Sequence, residues 1–165
     1  MKVLKKYILP PAFVGLLVAI DQFTKYLAVV YLRPISEFVI IDGVFSLFYL
    51  ENAGMAFGLL QGGRWIFIAV TVVVLGFIIF YYITLPKNRY GSIVRFFLLM
   101  LIGGALGNFI DRLLHGFVVD FFFFNLINFP VFNMADVFLV IAVFAVAGIT
   151  IFTKEPGNDR RKKIR

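Results

Sequence analysis

The chain has no cysteine and only one histidine, His115, among its 165 residues. A disulfide framework, thiol catalysis and Cys-ligated metals are therefore excluded, and a lone imidazole cannot build a His-based metal site, so no metal or other cofactor is expected. Hydroxyl nucleophiles are scarce too, the serines being Ser36, Ser46 and Ser92. Charge is thin: 15% of residues carry it, against 62% that are hydrophobic, with a mean hydropathy of +0.98. Such a composition does not suit a water-soluble domain. Any chemistry must come from carboxylates, amides, hydroxyls and Lys or Arg. The net charge of +7 could suggest nucleic acid, but no basic cluster falls on a soluble face, and nucleic acid is not expected as a partner.

What the chain has instead is long apolar runs. Four are free enough of charge to cross a hydrocarbon core of ~30 Å, at about 7–31, 65–85, 93–114 and 132–153, and we expect a membrane all-α bundle of four transmembrane helices. Twelve of the sixteen Lys and Arg lie at the N-terminus (Lys2, Lys5, Lys6), between spans two and three (Lys87, Arg89, Arg95) and after span four (Lys154 onward). Of the nine acids only Glu155 and Asp159 share that side, so the positive-inside rule places both termini in the cytoplasm. The first span is preceded by basic residues as a signal peptide would be. It lacks a small-x-small cleavage site and leads into the polar Asp21-Gln22-Phe23-Thr24-Lys25, so it reads as a retained helix.

Residues 1–153 then form a single membrane domain, with outer segments at 32–64 and 115–131, and residues 154–165 form a flexible basic cytoplasmic tail able to lie on anionic lipid headgroups. Alternation in Glu37–Ile40 and Phe45–Tyr49, broken by Asp42-Gly43 and Asn52-Ala53-Gly54, predicts a small region of β-strands on the outer surface. The second outer segment contains Phe121 through Phe124 in succession and suits the interface between bilayer and water.

Polar side chains inside hydrocarbon are costly, so their depth is informative. At ~1.5 Å per residue, Asp21, Asn108, Asp111 and Asp136 all rise roughly 20 to 27 Å from the inner ends of their spans. Asp120, in the connection between spans three and four, returns to the same level. One polar pocket near the outer leaflet is predicted. Asp21 and Lys25, spaced i,i+4, suit an ion pair, and Asn108 and Arg112 share a face that Gly103, Gly104 and Gly107 leave open to close approach. Asp111 and Arg112 point to different faces, and His115 is expected to have no chemical role.

Asp120 stands between Val118-Val119 and Phe121-Phe122, without a local partner, and Asp136 begins the fourth span three residues after Asn133, on the same helical face. Two acids in a partly dry site cannot both stay ionised and would share one proton. An aspartic peptidase uses that arrangement, one member taking a proton from water while the other polarises a carbonyl.

Five blocks, Asp21–Lys25, Asn52-Ala53-Gly54-Met55-Ala56-Phe57-Gly58, Gly103 through Arg112, Val118-Val119-Asp120-Phe121 and Phe132-Asn133-Met134-Ala135-Asp136, resemble those of the bacterial lipoprotein signal peptidases, or signal peptidase II, in the family's order. The resemblance implies an aspartic endopeptidase that removes the signal peptide from prolipoproteins on the N-terminal side of a diacylglyceryl-modified cysteine. It makes Asp120 and Asp136 the catalytic pair, and Asn52, Gly54, Asn108, Arg112 and Asn133 substrate-binding. Asp21, Lys25, Gly104 and Asp111 are supporting. Diacylglyceryl-modified prolipoproteins, membrane lipids and globomycin-like inhibitors are its implied partners, and a monomer in a bacterial cell membrane, with its site toward the outer leaflet, is expected. Met55, where a small residue is usual, and Glu51 depart from the family pattern and bear on substrate or inhibitor preference.

Two other readings compete. A Ser–Lys peptidase would need a lysine at the depth of a serine, and Ser92 lies on the cytoplasmic side. A small proton-coupled transporter using intramembrane Asp and Arg would need polar groups across the whole bilayer, whereas span two offers only Thr71, Tyr81, Tyr82 and Thr84.

Overall fold

The computed structural model describes residues 7–54 and 63–153. Lys2, Lys5 and Lys6, Met55 through Gly58, and the expected tail at 154–165 lie outside the described residues. Among the described residues, four helices are long and apolar enough to cross a membrane. They are α1 (Leu9–Leu27, continued by a π-helical turn, Ala28–Leu32), α2 (Arg64–Thr84), α3 (Arg89–Leu114) and α4 (Met134–Phe152). Between them lie β1 (Glu37–Ile41), β2 (Phe45–Asn52) and β3 (Val118–Phe123).

Two helix starts differ from expectation, each for a reason of capping. The Asn88 side chain accepts a hydrogen bond from the Gly91 amide, so α3 begins at Arg89 rather than 93 and carries two arginines in its first two turns. Arg95 donates to the carbonyls of Tyr82 (3.2 Å), Pro86 (3.1 Å) and Leu85. These include the unpaired acceptors that end α2, which a cation suits well. Asn133 is not on the face of α4; it is the residue before the helix. Its side chain accepts from the Asp136 amide while the Asp136 carboxylate accepts from the Asn133 amide, each at 3.1 Å, a reciprocal capping box.

α3 is the hub, packing against α1, α2 and α4. Its glycines permit this. A Cβ at Gly104 would come within 2.6 Å of the Ala135 carbonyl oxygen, and one at Gly107 within 2.5 Å of an Asp21 carboxylate oxygen. Ala135 and Ala142 on α4 are fully buried, as small-residue packing in lipid requires. By contrast α2 has no fully buried residue.

The expected β-region is present as a three-stranded antiparallel sheet of order β1-β2-β3. β1 and β2 form a hairpin whose turn holds Gly43 at φ +66°. The third strand was not anticipated: four phenylalanines in a row carry no alternation. Its partners are distant in sequence, Asn52 pairing Val118 and Leu50 pairing Asp120. One face of β3 buries Val119 and Phe121 against Ala28 and Leu32 at the C-terminal end of the first span. The period of two along the strand then turns Asp120 the other way.

Candidate active site

Asp120 sits mid-strand on β3 and is 2% exposed. Its Oδ1 accepts from Asn133 Nδ2 at 2.6 Å and its Oδ2 from Asn52 Nδ2 at 2.8 Å. Asp136 stands in the first turn of α4; its Oδ1 accepts from Asn108 Nδ2 at 2.8 Å and its Oδ2 from the Asn133 amide at 3.1 Å. All four carboxylate oxygens therefore accept a neutral amide donor, and Asn133 supplies one to each acid. β2, β3, α3 and the start of α4 each contribute a residue, so the pair exists only in the assembled fold.

Burial first, and the nearby Asp136 charge second, push the Asp120 carboxyl up to about 7. The Asn52 and Asn133 donors and the more distant Lys25 pull the other way. Desolvation disfavours the ionised form, and a second carboxylate adds to that. Asp120 can therefore hold a proton near neutrality.

Behind the pair lies a buried ionic cluster. Lys25 Nζ, 3% exposed as a residue, lies 2.8 Å from Asp21 Oδ2 and 3.0 Å from Asp111 Oδ2, and donates to Asn108 Oδ1 at 3.0 Å. Gln22 Nε2 donates to Asp111 Oδ1 at 2.8 Å and to the Gly107 carbonyl at 3.2 Å. Asp21 Oδ1 accepts from the Ala135 amide and Asp111 Oδ2 from the Val119 amide, so two carboxylates and one ammonium fasten α1, α3, α4 and β3 together. A buried charge with so many partners is the condition under which it is tolerated. Asn108 joins the two groups: its Oδ1 accepts from both Lys25 and Asn133 (3.1 Å) while its amide donates to Asp136.

A cavity of about 950 Å³ opens onto the pair. Asn52, Gly54, Arg112, Asp120 and Asp136 are in its wall, with Phe129, Pro130, Val131 and Phe132 on one side and Val137, Val140 and Ile141 of α4 on another. Val140 and Ile141 are about half exposed, so the cavity has an apolar side facing outward from the helix bundle. Asn52 Oδ1 also accepts from the Gly54 amide at 3.1 Å, orienting the side chain whose other end meets Asp120.

Asp120, Asp136, Asn52, Asn108 and Asn133 are thus brought into one hydrogen-bonded set, with Gly54 and Arg112 beside it. Asp21, Lys25 and Asp111 form the cluster behind. Gly104 is not at the cavity; it lies where α3 meets α4. Glu51 is on the rim, its Oε1 accepting from the Tyr49 hydroxyl at 2.9 Å with Arg33 at 3.5 Å. His115 packs against the Phe117 ring. Sequence reasoning gave no individual role to Gln22, although a polar neighbour of Asp21 at that depth was a usable signal. It also passed over Phe67 on α2, whose ring centroid lies 4.9 Å from the Arg112 guanidinium carbon, since one ring within an apolar helix offers no signal.

The family model for signal peptidase (SPase) II matches residues 13–152. The lipoprotein signal peptidase of Caldanaerobacter subterraneus subsp. tengcongensis is 46% identical over 140 residues, covering 84% of this chain and 93% of that protein. That of Clostridioides difficile is 42% identical over 137 residues, covering 83% and 90%. Among solved structures, a bacterial membrane enzyme determined by the in meso method is similar with a TM-score of 0.77 and 32% identity, over 91% of this chain and 95% of that one.

Proposed function

Because the chain belongs to the signal peptidase II family, the lipoprotein signal peptidases, we propose that it cleaves as an aspartic endopeptidase with Asp120 and Asp136 as its catalytic pair. It is a multi-pass membrane peptidase that removes signal peptides from prolipoproteins. The observation that carries the aspartic reading is the donor pattern: two carboxylates on different elements, joined through Asn133, in the wall of one cavity. With Asp120 pushed up to about 7, it supplies the proton that polarises the scissile carbonyl. Asp136 takes a proton from the attacking water. The tetrahedral carbon then collapses, the C–N bond breaks, and a proton passes to the leaving amine.

Bond cleavage falls before a diacylglyceryl-modified cysteine, whose acyl chains suit the apolar side of the cavity formed by Val137, Val140 and Ile141. Asn52, Gly54, Asn108, Arg112 and Asn133 hold the substrate backbone and the pair, and a globomycin-like inhibitor would occupy the same space. The domain, 1–153, acts as a monomer with both termini cytoplasmic and the site toward the outer leaflet. Supporting this orientation, the charged stretch from Lys87 into the first two turns of α3, Arg89 and Arg95, lies at the end of that helix opposite Asn108, which bonds the pair. The transporter reading is not favoured, since α2 has no buried polar residue with which to continue a path.

The test is cleavage of a diacylated and a non-lipidated prolipoprotein by the purified protein, followed by mass. Asp120→Asn and Asp136→Asn should each lower turnover by several orders of magnitude, roughly 10³-fold or more, and the double variant should be scarcely worse. Near-normal turnover in either single variant overturns the assignment.

A further inference from the structure

Arg112 stands in the cavity wall, in an outer part of the bundle where an unpaired cation is costly. Its side chain is held lightly by hydrogen bonds: among the described residues, Nη1 donates to the Asn108 carbonyl at a long 3.5 Å. The guanidinium carbon lies 4.9 Å from the centroid of the Phe67 ring on α2. One turn earlier, Arg64 Nη2 donates to the Leu113 carbonyl at 2.6 Å, tying the start of α2 to the end of α3. α2 otherwise contributes nothing to the pocket and buries no residue fully.

From this placement we infer that Phe67 is a positioning residue for the peptidase, its ring face holding the Arg112 guanidinium toward the cavity so that the remaining N–H groups can meet a substrate carbonyl. The inference rests on the substrate-binding reading of Arg112. A ring of negative face potential attracts a planar cation most strongly where water is excluded. It also leaves the guanidinium edges free, which a carboxylate partner would not. Arg112 faces Asp111, Asp120 and Asp136 electrostatically, and without the ring it could swing toward the catalytic carboxylates and close the cavity. Arg64 fixes the register in which the ring meets the guanidinium.

The experiment measures kcat and KM for a diacylated prolipoprotein, together with the thermal midpoint in detergent, for Phe67→Leu, Phe67→Tyr, Phe67→Trp, Arg112→Ala and Phe67→Leu with Arg112→Ala. Leucine keeps an apolar side chain suited to lipid, so folding is retained. Phe67→Leu should raise KM roughly tenfold with kcat and midpoint little changed, and tyrosine and tryptophan should restore KM, following ring-face strength and not apolar volume. In the Arg112→Ala background Phe67→Leu should add no further loss. Wild-type KM in Phe67→Leu, failure of both aromatic variants to restore it, or an equal loss in both backgrounds overturns the inference while leaving the peptidase assignment intact. If Phe67→Leu lowers the midpoint, the aromatic variants decide by themselves. Full activity in Arg112→Ala overturns the Arg112 reading and this inference with it, and full activity in Asp120→Asn overturns the reading of the pair.

Discussion

Replacing Asn52 by alanine removes the donor 2.8 Å from Asp120 Oδ2 and leaves the Asn133 donor on Oδ1 in place. A hydrogen bond donated to a carboxylate favours its ionised form, so losing one moves the Asp120 carboxyl further up from about 7. A hydrogen bond to a charged group is worth roughly 1.5–3 kcal/mol. Asn52 is half-buried, and water can replace part of what is lost, so the lower end applies. At 1.36 kcal/mol per pH unit, that is a displacement of about one unit. The sign follows from the singly protonated pair being the active form. Activity falls as pH rises through the Asp120 value and the proton leaves, so the wild-type rate should decline near pH 7 and the Asn52→Ala rate about one unit higher. Stability has the same sense. A carboxyl raised above its ordinary 3.8 contributes most below that value and loses its contribution as pH rises toward about 7. The assay is the pH dependence of kcat for prolipoprotein cleavage, scored by the midpoint of the alkaline limb rather than by its height, since Asn52 also orients the pair. A midpoint that stays put or moves to lower pH would refute the reasoning.

Asn108→Ala should impair cleavage through Asp136, and Arg112→Ala through substrate binding, each by roughly ten- to a thousandfold with the protein still folded; wild-type kinetics in both would count against the site. Gly107→Ala drives a methyl into the Asp21 carboxylate and should lower the thermal midpoint by an amount corresponding to ~1–3 kcal/mol of overpacking; an unchanged midpoint would mean that α1 and α3 can separate freely. A cysteine placed at Asp42 should react with an impermeant thiol reagent from outside, while one at Lys87 should react only after the membrane is broken; external labelling at Lys87 would reverse the proposed topology.

Depth along the spans was legible because the cost of burying charge in hydrocarbon leaves only a few functional places for Asp21, Asn108, Asp111 and Asp136. The structure gathers all four at one end of the bundle. The β1–β2 hairpin was legible from alternation and from Asp42-Gly43. The role of Asn133 was partly so: Asn followed three residues later by an acid is a capping signature, yet the pair was read as two residues on one helical face. β3 could not be read, because Phe121 through Phe124 fit a strand, a buried turn or an interfacial segment equally well, and the choice is made by β2, some seventy residues earlier. The same distance hides the Asn52–Asp120 bond. Phe67 was invisible for a simpler reason: within an unbroken apolar helix, one ring facing a cation looks like any other facing lipid.

Among the described residues α2 packs chiefly against α3, with a tie from Arg64 near one end and from Arg95 at the other. Its 21 residues measure ~31 Å, close to the thickness of an average bilayer core. A helix clasped along one side and surrounded by acyl chains elsewhere is the element that tilts when the membrane thickens or thins. Because that same helix carries Phe67 against Arg112, a tilt of α2 would shift the ring against the guanidinium, whereas the bonds of the carboxylate pair run to residues of α3, the start of α4 and the sheet.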